Sequence, residues 1–221
     1  VLNANTTGTD NVGVGSQALV SNTTASNNTA VGRVALSANT TGGFNTAFGM
    51  SALRFNTTGT ENTAVGGNAL DAATTADYNT AVGTSALGAA TTGSNNTAVG
   101  INCLSVLTTG GNNTAIGRLA MGAAAVTGSN NSCMGDSAGE NLTSGANNLF
   151  LGHDAGITGS PGGNHTTHSN RIVLGDENIS EFNCQVALSV ASDERDKTDF
   201  TALNVGLDFV KQLTPYTYKW D

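Results

Sequence analysis

Two pairs of side chains in this sequence have types and spacings that invite chemistry. The first is Ser192 and Lys197, five residues apart in Ala191-Ser-Asp-Glu-Arg-Asp-Lys197. A serine hydroxyl is a weak nucleophile until a base takes its proton, and a lysine with a lowered pKa can be that base. By spacing alone the stretch reads as a solvated, charged linker. The second pair is His165-x-x-His168. In an extended segment residues i and i+3 point to opposite faces, and no Cys or carboxylate stands within a few residues. The pair therefore reads as loop histidines, and neither a metal nor a cofactor is expected. Glu61, Asp71 and Asp77 show none of the repeated carboxylate pairing that glycan hydrolysis needs. Gly13-Val-Gly15-Ser-Gln-Ala18 mimics a dinucleotide fingerprint but is one copy of a repeat, with no βαβ context.

That repeat must position everything else. It is 17 residues long; its regular half reads N-T-A-V-G-x-x-A-L and its other half carries T-T-G. Copies open at Asn11, Asn28, Asn45, Asn62, Asn79, Asn96 and Asn113, then at Asn131 after a single inserted residue, then at Asn148. A short period held this long means a solenoid, in which each unit buries its apolar face against its neighbours. Strand position four is apolar in every copy, position three is mostly Ala, and position two is mostly Thr. Positions two and four share one face and position three takes the other. Neither face carries charge, so one should line the coil and the other should meet a partner chain, which points to an oligomer. The glycine after the strand suits a corner with positive φ or close backbone approach. T-T-G has turn chemistry for the opposite corner, and stacked Asn residues can form amide ladders. The variable positions Arg33, Arg54, Phe55, Asp71, Asp77, Tyr78 and Arg118 should face solvent.

The pattern loosens towards its end. Gly139 and Gly156 replace the Leu of A-L, an insert runs from Ser160 to Ser169, and Arg171-Ile-Val-Leu-Gly-Asp176 resembles a tenth strand. The expected organisation is a solenoid over 1–147, a capping neck over 148–191 and a separate segment over 192–221. In that last segment Leu203, Leu207, Val210 and Leu213 have helical spacing, Pro215 closes the helix, and Tyr216, Tyr218 and Trp220 alternate like a strand. The fold class is all-β: a parallel β-solenoid in a homotrimer, with a short C-terminal helix-plus-strand segment.

Composition narrows the partners. Charged residues are 11% of the 221, and the formal charge is −8 with no basic cluster in the array, so nucleic acid and anionic membranes are poor partners. No apolar run reaches the roughly 18 residues of a membrane span. The three cysteines read as reduced thiols: Cys103 and Cys133 take Ala slots, and Cys184 lies in a strand-like run. The N-x-T sequons at Asn5, Asn22, Asn39 and Asn56 follow from the repeat. Val1-Leu2 fall one period before Ala18-Leu19, so the chain reads as opening inside a coil.

S-D-x-R-x-K at Ser192–Lys197, followed by L-x-x-G-L-D-F-V-x-x-L-x-P-x-x-Y-K-W, resembles the start of the endosialidase-type intramolecular chaperone found at the C-terminus of phage tailspikes and tail fibres. The resemblance implies a domain that assists trimer folding and then cuts itself off between Ala191 and Ser192, with Lys197 assisting. Asp196 departs from the apolar residue many members have there. The array is similar in kind to the β-roll heads of trimeric autotransporter adhesins, and more so to repeats of phage tail-fibre proteins. These likenesses imply a homotrimeric fibre segment, extracellular on the virion tail, touching other tail proteins and a host cell-surface glycan or protein receptor. A bacterial surface adhesin built from the same modules is the alternative. Phe44, Phe55 and Tyr78, aromatics on variable positions, are the candidates for touching the receptor or for filling grooves between chains.

Overall fold

Every copy of the repeat makes one coil, and every coil contributes one short strand to a single parallel sheet. The computed structural model describes residues 1–183 apart from Ala124, and Val1–Ser180 form one compact unit. Its strands are β1 (Val12–Val14), β2 (Thr29–Val31), β3 (Thr46–Phe48), β4 (Thr63–Val65), β5 (Thr80–Val82), β6 (Thr97–Val99), β7 (Thr114–Ile116), β8 (Ser132–Met134), β9 (Leu149–Leu151) and β10 (Ile172–Leu174). They pair in chain order, each with the next. Like sits on like: Thr63 on Thr80, Ala64 on Ala81, Val65 on Val82. Ten strands at parallel spacing give a stack roughly 43 Å long. The sheet runs on through β9 and β10, within the stretch read as a neck. The helix and strand expected beyond Leu203 lie outside the described residues.

The remaining sides of the coil are turns, and coil-to-coil hydrogen bonds hold them too. Leu53 N–H donates to Ala69 O at 3.0 Å, and Thr57 N–H to Thr74 O at 2.9 Å. The corner after the strand closes by Ala52 N–H donating to Gly49 O, with Ser51 and Leu53 on either side of Ala52 at φ 61° and 50°. A leucine held in the left-handed region costs about 1–2 kcal/mol. Leu53 is also fully buried, which stabilises by about 1.5–3 kcal/mol, so burial offsets the strain. At Gly66 an added Cβ would lie 2.5 Å from Gly83 O of the next coil. That contact, at φ 136°, is why this corner is glycine in all nine repeats.

The core is a pair of columns. Ala30, Ala47, Ala64, Ala81, Ala98 and Ala115 point inward, and the A-L pairs (Ala35-Leu36 through Ala86-Leu87) meet them from the far side; all are fully buried. The sequence left open whether the Ala or the Val column turns outward, and the answer is Val. The smaller side chain goes inside because one coil is only wide enough for a Leu against an Ala.

Two asparagine ladders do the polar work. In the first, Asn22, Asn39 and Asn56 are fully buried. Each Nδ2 donates to the preceding Oδ1 at 2.9–3.0 Å. In the second, each Asn that opens a repeat uses Oδ1 to accept the next repeat's Asn N–H, as Asn45 does for Asn62 at 3.0 Å. Its Nδ2 reaches across the coil to the opposite corner, as Asn45 does to Gly59 O at 2.8 Å. Buried amides are normally paired, and here the pairing is the register device; only at Asn56, where Ala73 ends the first ladder, is Oδ1 left without a partner. The sequon asparagines Asn22, Asn39 and Asn56 are therefore locked in the interior by the fold.

Candidate functional site

The strand face turned away from the coil interior runs through all ten strands of the sheet. It carries Thr46, Thr63, Thr80, Thr97 and Thr114 at position two and Val65, Val82, Val99 and Ile116 at position four, half-buried or exposed. Beyond β7 the same positions become Ser132 and Met134, then Leu149 and Leu151, then Ile172 and Leu174. No coil places a charge at either position. Ile172 is 73% exposed, Phe48 56% and Val14 55%. The strip is uncharged throughout, with a Thr column beside an apolar one from β2 to β7 and apolar side chains in both columns at β9 and β10.

Phe44 and Tyr78 stand outside this strip, at the residue preceding the ladder Asn. They are 63% and 54% exposed and hold φ 59° each. Phe55 is exposed too, in a different column, and Arg54 lays its guanidinium over the ring at 4.6 Å from the centroid. The three aromatics are thus not one site: Phe44 and Tyr78 share a column and Phe55 does not. Arg33, Arg54 and Arg118 are solvent-exposed, whereas Asp71 and Asp77 are half-buried. Asp77 Oδ1 accepts from Thr60 N–H at 2.6 Å and from its hydroxyl at 3.0 Å. Burial pushes the Asp71 carboxyl up, against the opposing charge of Arg54.

The histidine pair departs from the sequence reading. The segment is turn rather than strand, so His165 and His168 do not point to opposite faces; their rings meet edge-on, with centroids 5.0 Å apart. His165 is 4% exposed and packs on Phe150 at 5.5 Å. Its N–H donates to Gly156 O as Leu142 N–H does to Gly139 O. His168 O accepts from Asn148 Nδ2, as Gly145 O accepts from Asn131 Nδ2. The two histidines are therefore the corner residues of the last coil, reached after an insert. The thiols are equally structural. Burial pushes both Cys103 and Cys133 up to about 12, which leaves them unreactive at neutral pH.

A charged column went unnoticed in the sequence. The residue after the strand-end glycine is Arg118, Asp136, His153 and Asp176 in the last four coils. Arg118 Nη2 lies 2.8 Å from Asp136 Oδ2. His153 Nδ1 lies 3.3 Å from Asp176 Oδ2 and 3.4 Å from Asp154 Oδ2. The hydrogen bond to Asp176, then the charge of Asp154, hold the His153 pKa above its ordinary value. Hydrogen bonds from the Asn178 side chain and backbone hold Asp176 below its own. Three donor atoms within 4.8 Å of one another have the types a divalent cation takes, and they are equally complete as an imidazolium between carboxylates. Aligning the columns across the insert between β9 and β10 would have revealed it.

Ser192 and Lys197 lie outside the described residues. Residues 192–221 match the family described as chaperone of endosialidase. No curated protein and no solved structure matches the chain.

Proposed function

We propose that this chain is a segment of a homotrimeric phage tail fibre, a rigid rod that contacts the host surface and is matured by a C-terminal chaperone. The observation that carries the reading is the outward strand face: ten coils in register, uncharged and increasingly apolar towards β10. Exposed Ile and Leu in parallel columns are what a second and third copy of the same rod would cover. The match at residues 192–221 supports a chaperone that joins three chains. In this reading cleavage falls between Ala191 and Ser192, with Ser192 as nucleophile and Lys197 as proton acceptor. A lysine with the ordinary pKa of about 10.4 is a poor base at neutral pH, and burial on assembly would lower it.

Two experiments test it on the full precursor carrying a whole chaperone domain. Val82→Asp with Val99→Asp should give a folded chain of monomer mass by light scattering, because both residues sit on the outer face. Ala98→Asp should unfold its coils, since a carboxylate would replace a fully buried Ala at a cost of several kcal/mol. A wild-type monomer would sink the trimer. Ser192→Ala should leave an uncut trimer by mass spectrometry, with cutting in the parent rising with pH; an intact parent after complete trimerisation would reduce Ser192 to a linker residue.

A further inference from the structure

We infer that the corner column Asn27, Phe44, Glu61, Tyr78 and Asn95 is a saccharide-binding track whose ligand is a linear, uncharged oligosaccharide lying along the stack. The inference rests on the reading of this rod as a host-contact segment and names the site and the ligand class of that contact.

The column is rigid. Phe44 N–H donates to Ser26 O, Glu61 N–H to Gly43 O, Tyr78 N–H to Thr60 O and Asn95 N–H to Asp77 O, at 3.1–3.2 Å. Successive residues are one strand spacing apart, so the two rings stand roughly 10 Å from each other. All five hold φ between 57° and 62°. Asn adopts that left-handed conformation readily, and the column uses it at Asn112, Asn130, Asn147 and Asn170. An aromatic there costs about 1–2 kcal/mol. Neither ring recovers that cost among the described residues: both are mostly exposed, and neither stacks on another ring or takes a cation there. A bound ligand would reward them.

The order of side chains says what that is. A pyranose offers a face of C–H bonds, which stacks on an aromatic face, and a rim of hydroxyls. Amide, aromatic, carboxylate, aromatic, amide, each one coil apart, suits a sugar chain advancing about one unit per coil. Alternate rings lie over Phe44 and Tyr78, the hydroxyls of the unit between them donate to Glu61, and a fourth unit at one end exchanges hydrogen bonds with Asn27 or Asn95. All five side chains are exposed, and none makes a side-chain hydrogen bond or ion pair among the described residues. Glu61 and the net charge of −8 repel carboxylated and sulfated sugars. A second copy of the chain fits less well, because covering the aromatics would bury Glu61 between them without a partner. Phe55 is not part of the track, since Arg54 already takes its ring face.

The test is calorimetry on the assembled wild-type protein. The probes are linear tetrasaccharides and disaccharides of glucose, galactose, mannose and N-acetylglucosamine, with a uronic-acid tetrasaccharide as the charged control. At least one neutral tetrasaccharide should bind, with its disaccharide and the charged control weaker by at least roughly tenfold, because neither can satisfy both rings and Glu61. Phe44→Asn and Tyr78→Asn should each weaken binding about tenfold or more, with the melting temperature unchanged or raised, since Asn relaxes the backbone. The track is overturned if no neutral tetrasaccharide binds at millimolar concentration, or if binding survives both substitutions. Dissociation of the oligomer by the Asn variants would equally overturn it and assign the rings to an interface between copies. A double variant that competes for host cells as well as wild type removes this site yet leaves the attachment reading standing. A wild type that binds the sugar but not cells supports the track and removes the attachment reading.

Discussion

The coils of β2 to β7 and those of β8 to β10 share one backbone and differ in how they fill it. In the first group Ala at strand position three faces Leu of the A-L pair, or Met121 in the coil of β7. In the second, Ala115 gives way to Cys133 and Phe150, and Leu gives way to Gly139 and Gly156. A Cβ on Gly139 would meet Cys133 Sγ at 2.7 Å and Phe150 Cδ2 at 3.0 Å, and one on Gly156 would meet Phe150 at 2.8 Å. Phe150 has moved the bulk from one wall of the coil to the other. What reads in the sequence as a fading repeat is a repacked core that conserves volume, and cores tolerate such swaps when total volume is kept. The difference teaches that register belongs to the glycine corner and the repeat-opening Asn ladder, which runs on to Asn148 and there accepts from Arg171 N–H, while side-chain size is free to vary so long as facing columns vary together.

Whole-coil deletions should break that comparison most severely. Removing 62–78 joins Glu61 to Asn79 within the uniform group, so neighbouring coils still match. The rod should shorten by about 5 Å and keep a cooperative melt, because each coil contacts only its neighbours. Removing 132–148 is the same length but takes Gly139 away and sets Phe150 against the coil of Met121, whose Leu-type side chain occupies the space Phe150 needs. Hydrogen-exchange protection in the last coils should then be lost. Equal tolerance of both deletions would mean that Phe150 and Gly139 are not a matched pair.

The next effect is a double-mutant cycle on that pair. Phe150→Ala leaves a cavity and should cost about 3–5 kcal/mol. Gly139→Leu alone should also destabilise, from the clash and from a side chain forced to φ 65°. The double substitution restores the Ala-facing-Leu arrangement of the upstream coils, so part of the loss should return, read as a coupling energy of about 1–3 kcal/mol in urea melts. Strictly additive losses would show that the two walls do not share one volume.

Much of this was legible from spacing, and the rest was hidden for physical reasons. The period, the parallel stacking, the glycine corner and the Asn ladders follow from identical residues one coil apart. The orientation of the strand was not legible, because an uncharged Thr-and-Val face and an Ala face both look fit for burial; only the width of the coil decides. Gly139 was misread because its partner Phe150 is eleven residues away in sequence and one coil away in space. The His153 cluster was invisible because the insert between β9 and β10 adds residues to one coil, so the aligned positions 153 and 176 no longer differ by 17. Phe44 and Tyr78 stand two periods apart in the sequence, but the left-handed backbone that makes their presence costly appears only in the structure.

The smallest effect separates the end of the second group from the rest by pH. His153 has a pKa raised above its ordinary 6.5 by the hydrogen bond to Asp176 and the charge of Asp154. Stability from a raised pKa is present below the unfolded value and is lost as pH rises through the folded one. Asp176, depressed from 3.8 chiefly by Asn178, contributes above its unfolded value and fails as pH falls through its lowered one. The contacts between β9 and β10 should therefore be firmest between about pH 4 and pH 6.5. Raising pH above that range should weaken protection of the Gly175 amide, which donates to Leu151 O, after correction for intrinsic exchange. The change should be only a few-fold, because His153 is exposed and solvent screens it. His153→Gln should flatten the profile, and the amide of Thr80, in the uniform coils, should show no such pH dependence. A pH response that survives His153→Gln would remove the histidine from the account and leave the last coils distinguished by their core alone.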